Sequence, residues 1–186
     1  MKRNYLFMCL MGIALFISCS KDNVEEDIFR NEIIIVDNDD GTNNDDFQEG
    51  EIHQNDLIAG QNYIAGTVYI DLLADDTVSV TYDTTNGDWV IVETHLYIGT
   101  YDDMPLNNPG NPILGQFPYA ENHPPGTTSF TYVGPDINSV LDGDGCFVVA
   151  AHAVVVNTVT GQEETAWLFG LDYPGQNWAM YAEMCN

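Results

Sequence analysis

The amino-acid sequence predicts an all-β fold, a single β-sandwich or jelly-roll-like domain. Two observations predict it. Short runs of β-branched and aromatic residues alternate with Gly, Pro and Asn turn signals, and no long run beyond the first 18 residues shows the 3.6-residue apolar period of a helix. This texture is typical of β-sandwiches and barrels.

Seven runs are strand candidates. The run 78–82 alternates apolar and polar residues, which predicts a half-buried strand, whereas 146–156 is nearly continuously apolar, as in a central strand covered on both faces. Turns are predicted at Asn86-Gly87, at 124–126 and at 142–145. The candidates are 68–72, 78–82, 89–98, 130–133, 146–156, 167–169 and 178–184.

Composition divides the chain into three segments. Residues 1–18 combine a basic start with an uncharged apolar run shorter than the ~20 residues of a membrane span, which predicts a signal peptide. Residues 19–58 are rich in acidic residues and poor in apolar ones, so they are predicted to form a disordered tether. Residues 59–186 are predicted to be the β domain.

The end of the signal peptide predicts a lipid anchor. The run Phe16-Ile17-Ser18-Cys19 resembles a lipobox, although Phe16 stands where Leu or Val is usual. Cys19 would then be the lipidated N-terminus; the alternative is an ordinary signal peptide with a chance cysteine. The acidic cluster at 22–27 is similar to the export signal of surface lipoproteins in Bacteroidota, and the alternative is a solvated tether. We therefore expect a lipid-anchored, surface-exposed outer-membrane protein that contacts the membrane through its lipid only.

The charge distribution excludes two classes of function. The chain has four basic residues, none after Arg30, against 29 acidic residues, for a net charge of −25. Nucleic acid is excluded as a partner because phosphate binding requires clustered cations. Phosphoryl transfer is disfavoured for the same reason.

Cysteine usage predicts one disulfide bond. Cys9 leaves with the signal peptide and Cys19 takes the lipid, so Cys146 and Cys185 remain as a pair in an oxidising compartment. The alternative is two free or metal-binding thiols.

Histidine and glutamate side chains form a candidate metal site. Glu93 and His95 point to the same side of one predicted strand, His152 lies on the central strand, and Glu164 precedes Trp167. If these strands are neighbours, the four residues would converge, and imidazole with carboxylate suits zinc or manganese. The alternative is that each is a buried polar group bonded to its neighbours.

Two acidic turns suggest calcium, at 37–41 and 142–145. An EF-hand-like register requires an acidic residue five positions before the glycine, where Val36 and Val140 stand. Ordinary acidic turns are therefore the better interpretation. No cofactor is predicted, with calcium or zinc as the alternatives.

The C-terminal strands carry an aromatic group of candidate binding residues. Exposed on a β-sandwich, these side chains would form a stacking platform for sugar rings; the alternative is that they fill the core. No Gly-x-Ser-x-Gly nucleophile elbow is present, which favours a non-enzymatic protein. The group comprises Trp167, Tyr173, Trp178 and Tyr181.

Five ordered motifs resemble a repeated extracellular β domain of secreted and lipid-anchored bacterial proteins. They are ETHLYIG (93–99), NPILGQFPY (111–119), AAHAVVV (150–156), ETAW (164–167) and NWAMY (177–181). The resemblance covers residues 60–186; it implies an envelope or surface domain and no catalytic assignment. We expect a binding or adhesion module whose partner is a glycan, the best guess, or a surface protein. The alternative is a metal-dependent site around His95 and His152.

Overall fold

The computed structural model of this protein describes residues 34–35 and 52–185, whose regular structure consists of β-strands and two short 3₁₀ helices. The predicted signal peptide, Cys19, the turn at 37–41 and most of the predicted tether lie outside the described residues. Eleven strands form in the described part: β1 (Ile34–Ile35), β2 (Ile52–Ala59), β3 (Tyr63–Leu72), β4 (Thr77–Asp83), β5 (Trp89–Gly99), β6 (Tyr119–Asn122), β7 (Ser129–Asp136), β8 (Cys146–Asn157), β9 (Glu163–Leu168), β10 (Leu171–Asp172) and β11 (Met180–Cys185). The all-β prediction is confirmed.

The strands form one antiparallel sheet that curves nearly into a barrel. The order β11-β8-β9-β2-β3-β4-β7 runs along the sheet, while β5 pairs with the other edge of β8 and carries β6. β9 and β11 share one edge of β8, at its two ends. β8 is therefore central, as its continuous apolar sequence predicts, and is buried on both faces.

The inner face of the curved sheet holds the larger hydrophobic core. Its side chains are mainly Leu, Ile and Val at alternate strand positions, for example Val78 and Val80 of β4, which are fully buried together with Tyr82. The Tyr82 hydroxyl donates a 2.9 Å hydrogen bond to the backbone carbonyl of His95 across the interior. Alternation at period two thus sends one side of each strand into a dry interior.

Side chains close the gap where β7 approaches β5. Thr94 of β5 is fully buried, and its hydroxyl lies 2.8 Å from the Tyr132 hydroxyl on β7 and 2.8 Å from Nε2 of His123. Phe130 packs against His123 with ring centroids 4.4 Å apart. Polar and aromatic side-chain contacts therefore join β5 and β7, in place of a ladder of backbone hydrogen bonds.

The predicted domain start at residue 59 is too late. β2 begins at Ile52 and lies between β3 and β9, which buries Leu57 and Ile58. The polar residues that suggested a tether have partners within the sheet: the Asn55 amide donates to the Phe169 carbonyl at 3.0 Å. Such hydrogen bonds satisfy the polar side chains of β2. The composition of this segment alone therefore does not reveal that it is a strand.

The predicted disulfide is confirmed. Cys146 and Cys185 are bonded and are paired residues of β8 and β11, so the bond joins the last strand to the central one. The turn before Cys146 is an acidic turn, in which a carboxylate oxygen of Asp142 accepts the backbone N–H groups of Asp144 and Cys146. In the described ranges there is no helix long and apolar enough to cross a membrane.

Candidate functional site

A second, smaller hydrophobic cluster covers the outer face of β5, β8 and β9. We call it the outer aromatic layer. Two irregular segments, 100–118 and 173–179, fold over these strands and close it. Its buried members are Ile58, Tyr97, Met104, Phe117, Val148, Ala150, Trp167, Tyr173, Ala179 and Met180.

The four aromatic candidates divide into two buried and two half-buried side chains. Trp167 is 5% exposed and Tyr173 is 4% exposed, so both belong to the layer and neither offers a ring face for stacking. Trp178 and Tyr181 are half-buried. A platform formed by all four is therefore wrong; the alternative interpretation, a core role, holds for Trp167 and Tyr173.

Tyr173 is the centre of a tyrosine cluster in this layer. Its ring lies 4.9 Å from that of Tyr181 and is stacked on Tyr101 at 6.4 Å, and its hydroxyl contacts the Met104 sulfur at 3.6 Å. Burial, reinforced by Tyr101, raises the pKa of Tyr173 far above its usual range. The pKa of Tyr97 is raised to about 12, again mainly by burial. These phenols stay neutral at physiological pH.

β5 and β8 bring two of the histidines together. His95 and His152 are directly paired across the strands, with ring centroids 5.6 Å apart. Glu93 Oε1 lies 2.6 Å from Nε2 of His95, and the Trp167 and His152 rings pack in a T-shaped arrangement with centroids 4.8 Å apart. The predicted convergence of Glu93, His95 and His152 on one face is thus present in the structure.

Glu164 does not join this group. It pairs with Val155, whose side chain lies in the inner core, so Glu164 is on the opposite face of the sheet from His152. Its carboxylate accepts a 2.6 Å hydrogen bond from the Gln162 amide and lies beside Gly60. Strand alternation separates Glu164 from the histidines, and within residues 52–185 no three His, Cys, Asp or Glu side chains are arranged to hold a metal ion.

His152 is buried without a hydrogen bond at one ring nitrogen. The residue is 3% exposed, and its Nδ1, like that of His95, has no partner among the described residues. Burial, and secondarily the neighbouring His95, lowers the pKa of His152 to about 3. At neutral pH, therefore, His152 is an uncharged member of the aromatic layer.

An open cavity of about 380 Å³ lies at the edge of the outer aromatic layer. Three parts of the chain form it: the turn between β2 and β3, the end of β10, and the loop that follows. It combines one indole and one phenol ring with amide and carboxylate groups. The lining residues are Gln61, Asp172, Tyr173, Gly175, Gln176, Asn177 and Trp178.

The loop that forms most of this cavity is fixed to the other covering segment. The Asn111 side-chain oxygen accepts the backbone N–H of Asn177 at 3.1 Å. A β-carbon at Gly175 would collide with the same Asn111 side chain, so only glycine permits this approach. A second bond, from the Tyr173 N–H to the Ala179 carbonyl at 3.3 Å, closes the loop at its base.

Sequence reasoning placed Tyr173 and Trp178 in this region but missed the polar residues beside them. The predicted aromatics are flanked by Asp172, Gln176 and Asn177 in an ordinary turn sequence, Asp-Tyr-Pro-Gly-Gln-Asn. Their nearness to the aromatics is the one sequence feature that marks them as cavity residues. Gln61 is more than 100 positions away, and nothing local marks it. The chain matches no family model, no curated protein and no solved structure.

Proposed function

We propose that this protein is a non-enzymatic, lipid-anchored binding module of the outer cell surface and that it binds neutral glycans in the cavity beside Trp178. The observation that carries the proposal is the composition of that cavity. It places a half-buried indole next to three carboxamides and a carboxylate. Aromatic faces with a few polar groups at their edge are what pyranose rings require, since one sugar face is apolar and the hydroxyls point outward.

The charge of the domain supports a neutral ligand. No Lys or Arg occurs after Arg30, so the cavity contains no side chain that would pair with a uronate, sialate or sulfate group. Asp172 at its edge would repel such groups as well. Carboxamides, in contrast, donate to and accept from neutral hydroxyls in the same contact.

The cavity also has the dimensions of a small-molecule site. Such sites usually enclose about 300–1,000 Å³, and this one, at about 380 Å³, lies at the lower end of that range. It is open to solvent, which suits an end or a short stretch of a longer chain. The loop anchored by Asn111 fixes the position of its polar residues, so a ligand would find them largely preorganised.

Glycan binding is tested with neutral hexasaccharides of glucose, xylose, mannose and N-acetylglucosamine, with acidic hexasaccharides for comparison. Trp178→Ala is expected to lower the affinity for the bound neutral sugar at least tenfold, because stacking of the sugar ring on the indole is lost. Tyr69→Ala is the control, since Tyr69 is half-buried on β3 and does not line the cavity. Equal affinity of Trp178→Ala and the parent, or binding only to acidic sugars, would contradict the proposal.

The surface location is a separate part of the proposal, supported by the lipobox-like run before Cys19, the acidic cluster after it, and the resemblance to extracellular β domains. Cells fed an alkyne analogue of palmitate are expected to label the protein, and Cys19→Ala is expected to remove the label. Protease added to intact cells should then digest the parent protein. Resistance of labelled protein in intact cells would place it on the inner side of the membrane.

A further inference from the structure

We infer that Gln61 is a specificity-determining residue of the cavity, and that the chain presents its carboxamide to the ligand from a strained hairpin turn. The inference rests on the glycan-binding proposal and deepens it. Gln61 is the one cavity residue supplied by the β2–β3 turn; the others come from 172–178. It would therefore contact a bound sugar from a different element than the loop does.

The backbone of this turn has an unusual conformation for glutamine. The Asn62 N–H donates to the Ala59 carbonyl at 3.1 Å, which closes a four-residue turn with Gly60 and Gln61 at its centre. Both central residues have positive φ, 54° for Gly60 and 67° for Gln61, which is the pattern of a type I′ hairpin turn. Glycine is the preferred second central residue, and a residue with a β-carbon is strained there.

No hydrogen bond of the Gln61 side chain to another described residue compensates the strain. Gln61 is exposed, and its carboxamide has no such partner in residues 52–185. The turn is stabilised by its neighbour instead, since the Asn62 amide donates to the Gly60 carbonyl at 2.8 Å. A side chain that strains its turn and hydrogen-bonds to no described residue, yet lines a cavity, is well placed to bond to a ligand.

The structure provides a matched control for the strain. In the described part of the chain, Asp76 is the other non-glycine residue with positive φ, at 61°. It lies in the connection between β3 and β4 and does not line the cavity. Aspartate tolerates the left-handed region better than glutamine, so glycine should relieve less strain at Asp76.

The experiment compares Gln61→Gly, Gln61→Asn and Asp76→Gly in the full chain, purified in detergent. The probe is the neutral hexasaccharide that binds best to the parent. Gln61→Gly is expected to raise Tm by about 3 °C, because a strained residue is replaced by one that adopts this conformation freely. The same variant should bind the sugar about three- to tenfold more weakly, since one hydrogen-bonding group is lost.

The other two variants separate the causes. Gln61→Asn keeps a carboxamide on a shorter side chain and should bind with intermediate affinity. Asp76→Gly should raise Tm by less and leave the affinity unchanged. Parent-like affinity of Gln61→Gly, while Trp178→Ala abolishes binding, would overturn this inference and leave the glycan site standing. A loss of affinity without a rise in Tm would also overturn it. Failure of every neutral sugar to bind the parent would overturn the proposed function, and this inference with it.

Discussion

Both faces of β8 and of the end of β9 are buried, but different kinds of structure cover them. On the inner face, aliphatic side chains such as Val149 and Leu168 meet other strands of the curved sheet. On the outer face, the Trp167 ring lies beneath two irregular segments, one of which contributes Tyr173 to the same layer. Strands close an interior completely, whereas loops leave gaps at their edges, and the cavity beside Trp178 is such a gap. The inner face should therefore set the stability and the outer face the binding.

The disulfide joins β11 to the central strand β8, and its removal should have the largest effect on stability. β11 follows the cavity loop directly, and the Cys146–Cys185 bond holds it to β8 across a separation of 39 residues. Replacing both cysteines by serine is expected to lower the free energy of unfolding by about 3–4 kcal/mol, because the unfolded chain gains freedom. Urea denaturation of the variant, and of the parent with and without reductant, measures it. A decrease below about 1 kcal/mol would show that β11 is held by packing alone.

Leu168 and Phe169, neighbours at the end of β9, allow the two faces of the sheet to be compared directly. Leu168 is fully buried in the inner core, whereas Phe169 is half-buried against the outer aromatic layer. Leu168→Ala is expected to lower the free energy of unfolding by about 3 kcal/mol, since a cavity forms where strands cannot collapse. Phe169→Ala should lower it by about 1 kcal/mol, since much of that ring already contacts solvent. Equal losses in urea denaturation would mean that the loops cover their face as completely as strands do.

Acid should destabilise the fold through His152, which lies on the outer face of the sheet. The pKa of His152 is about 3 in the folded protein, against about 6.5 when exposed. Between these values the unfolded chain binds the additional proton, so stability rises with pH through this window and is complete above about pH 6.5. From pH 7 to pH 5 we expect a loss of about 2 kcal/mol from this residue.

Two variants test the origin of that loss. His152→Leu should remove this contribution at little cost at pH 7, because Nδ1 of His152 has no hydrogen bond to lose. His95→Gln should leave most of it, because burial is the larger cause of the lowered pKa and His95 the smaller. Thermal unfolding from pH 4 to pH 8 distinguishes them. An unchanged slope in His152→Leu would assign the acid sensitivity to another group.

Much of the structure around the inner hydrophobic core can be predicted from the sequence. Alternation at 78–82 and the long apolar run at 146–156 correspond to β4 and to the central strand β8. In both, a period of two or a continuous apolar stretch is a local property. The disulfide is predictable for a different reason, since only two cysteines remain after the N-terminal segment is accounted for.

The outer face of the sheet is harder to predict from the sequence, because its structure depends on contacts between distant segments. The polar sequence of β2 predicts a tether, because the hydrogen bond from Asn55 to Phe169 that favours a strand spans 114 positions. Trp167 and Tyr173 look the same in sequence as exposed aromatics, and it is the covering loops that bury them. Glu164 was grouped with His152 by chemistry, yet the register of β8 with β9 sends it to the other face.

The sequence by itself determined the fold class, most of the strands and the disulfide, because periodicity, turn residues and cysteine number are local or compositional properties. The tertiary structure alone decided which face each side chain occupies and which residues form the cavity. The physical reason is that strand register and loop packing are set by pairings across the whole chain. Gln61 and Trp178 line the same cavity only because the β2–β3 turn and the loop after β10 reach the same edge of the outer aromatic layer.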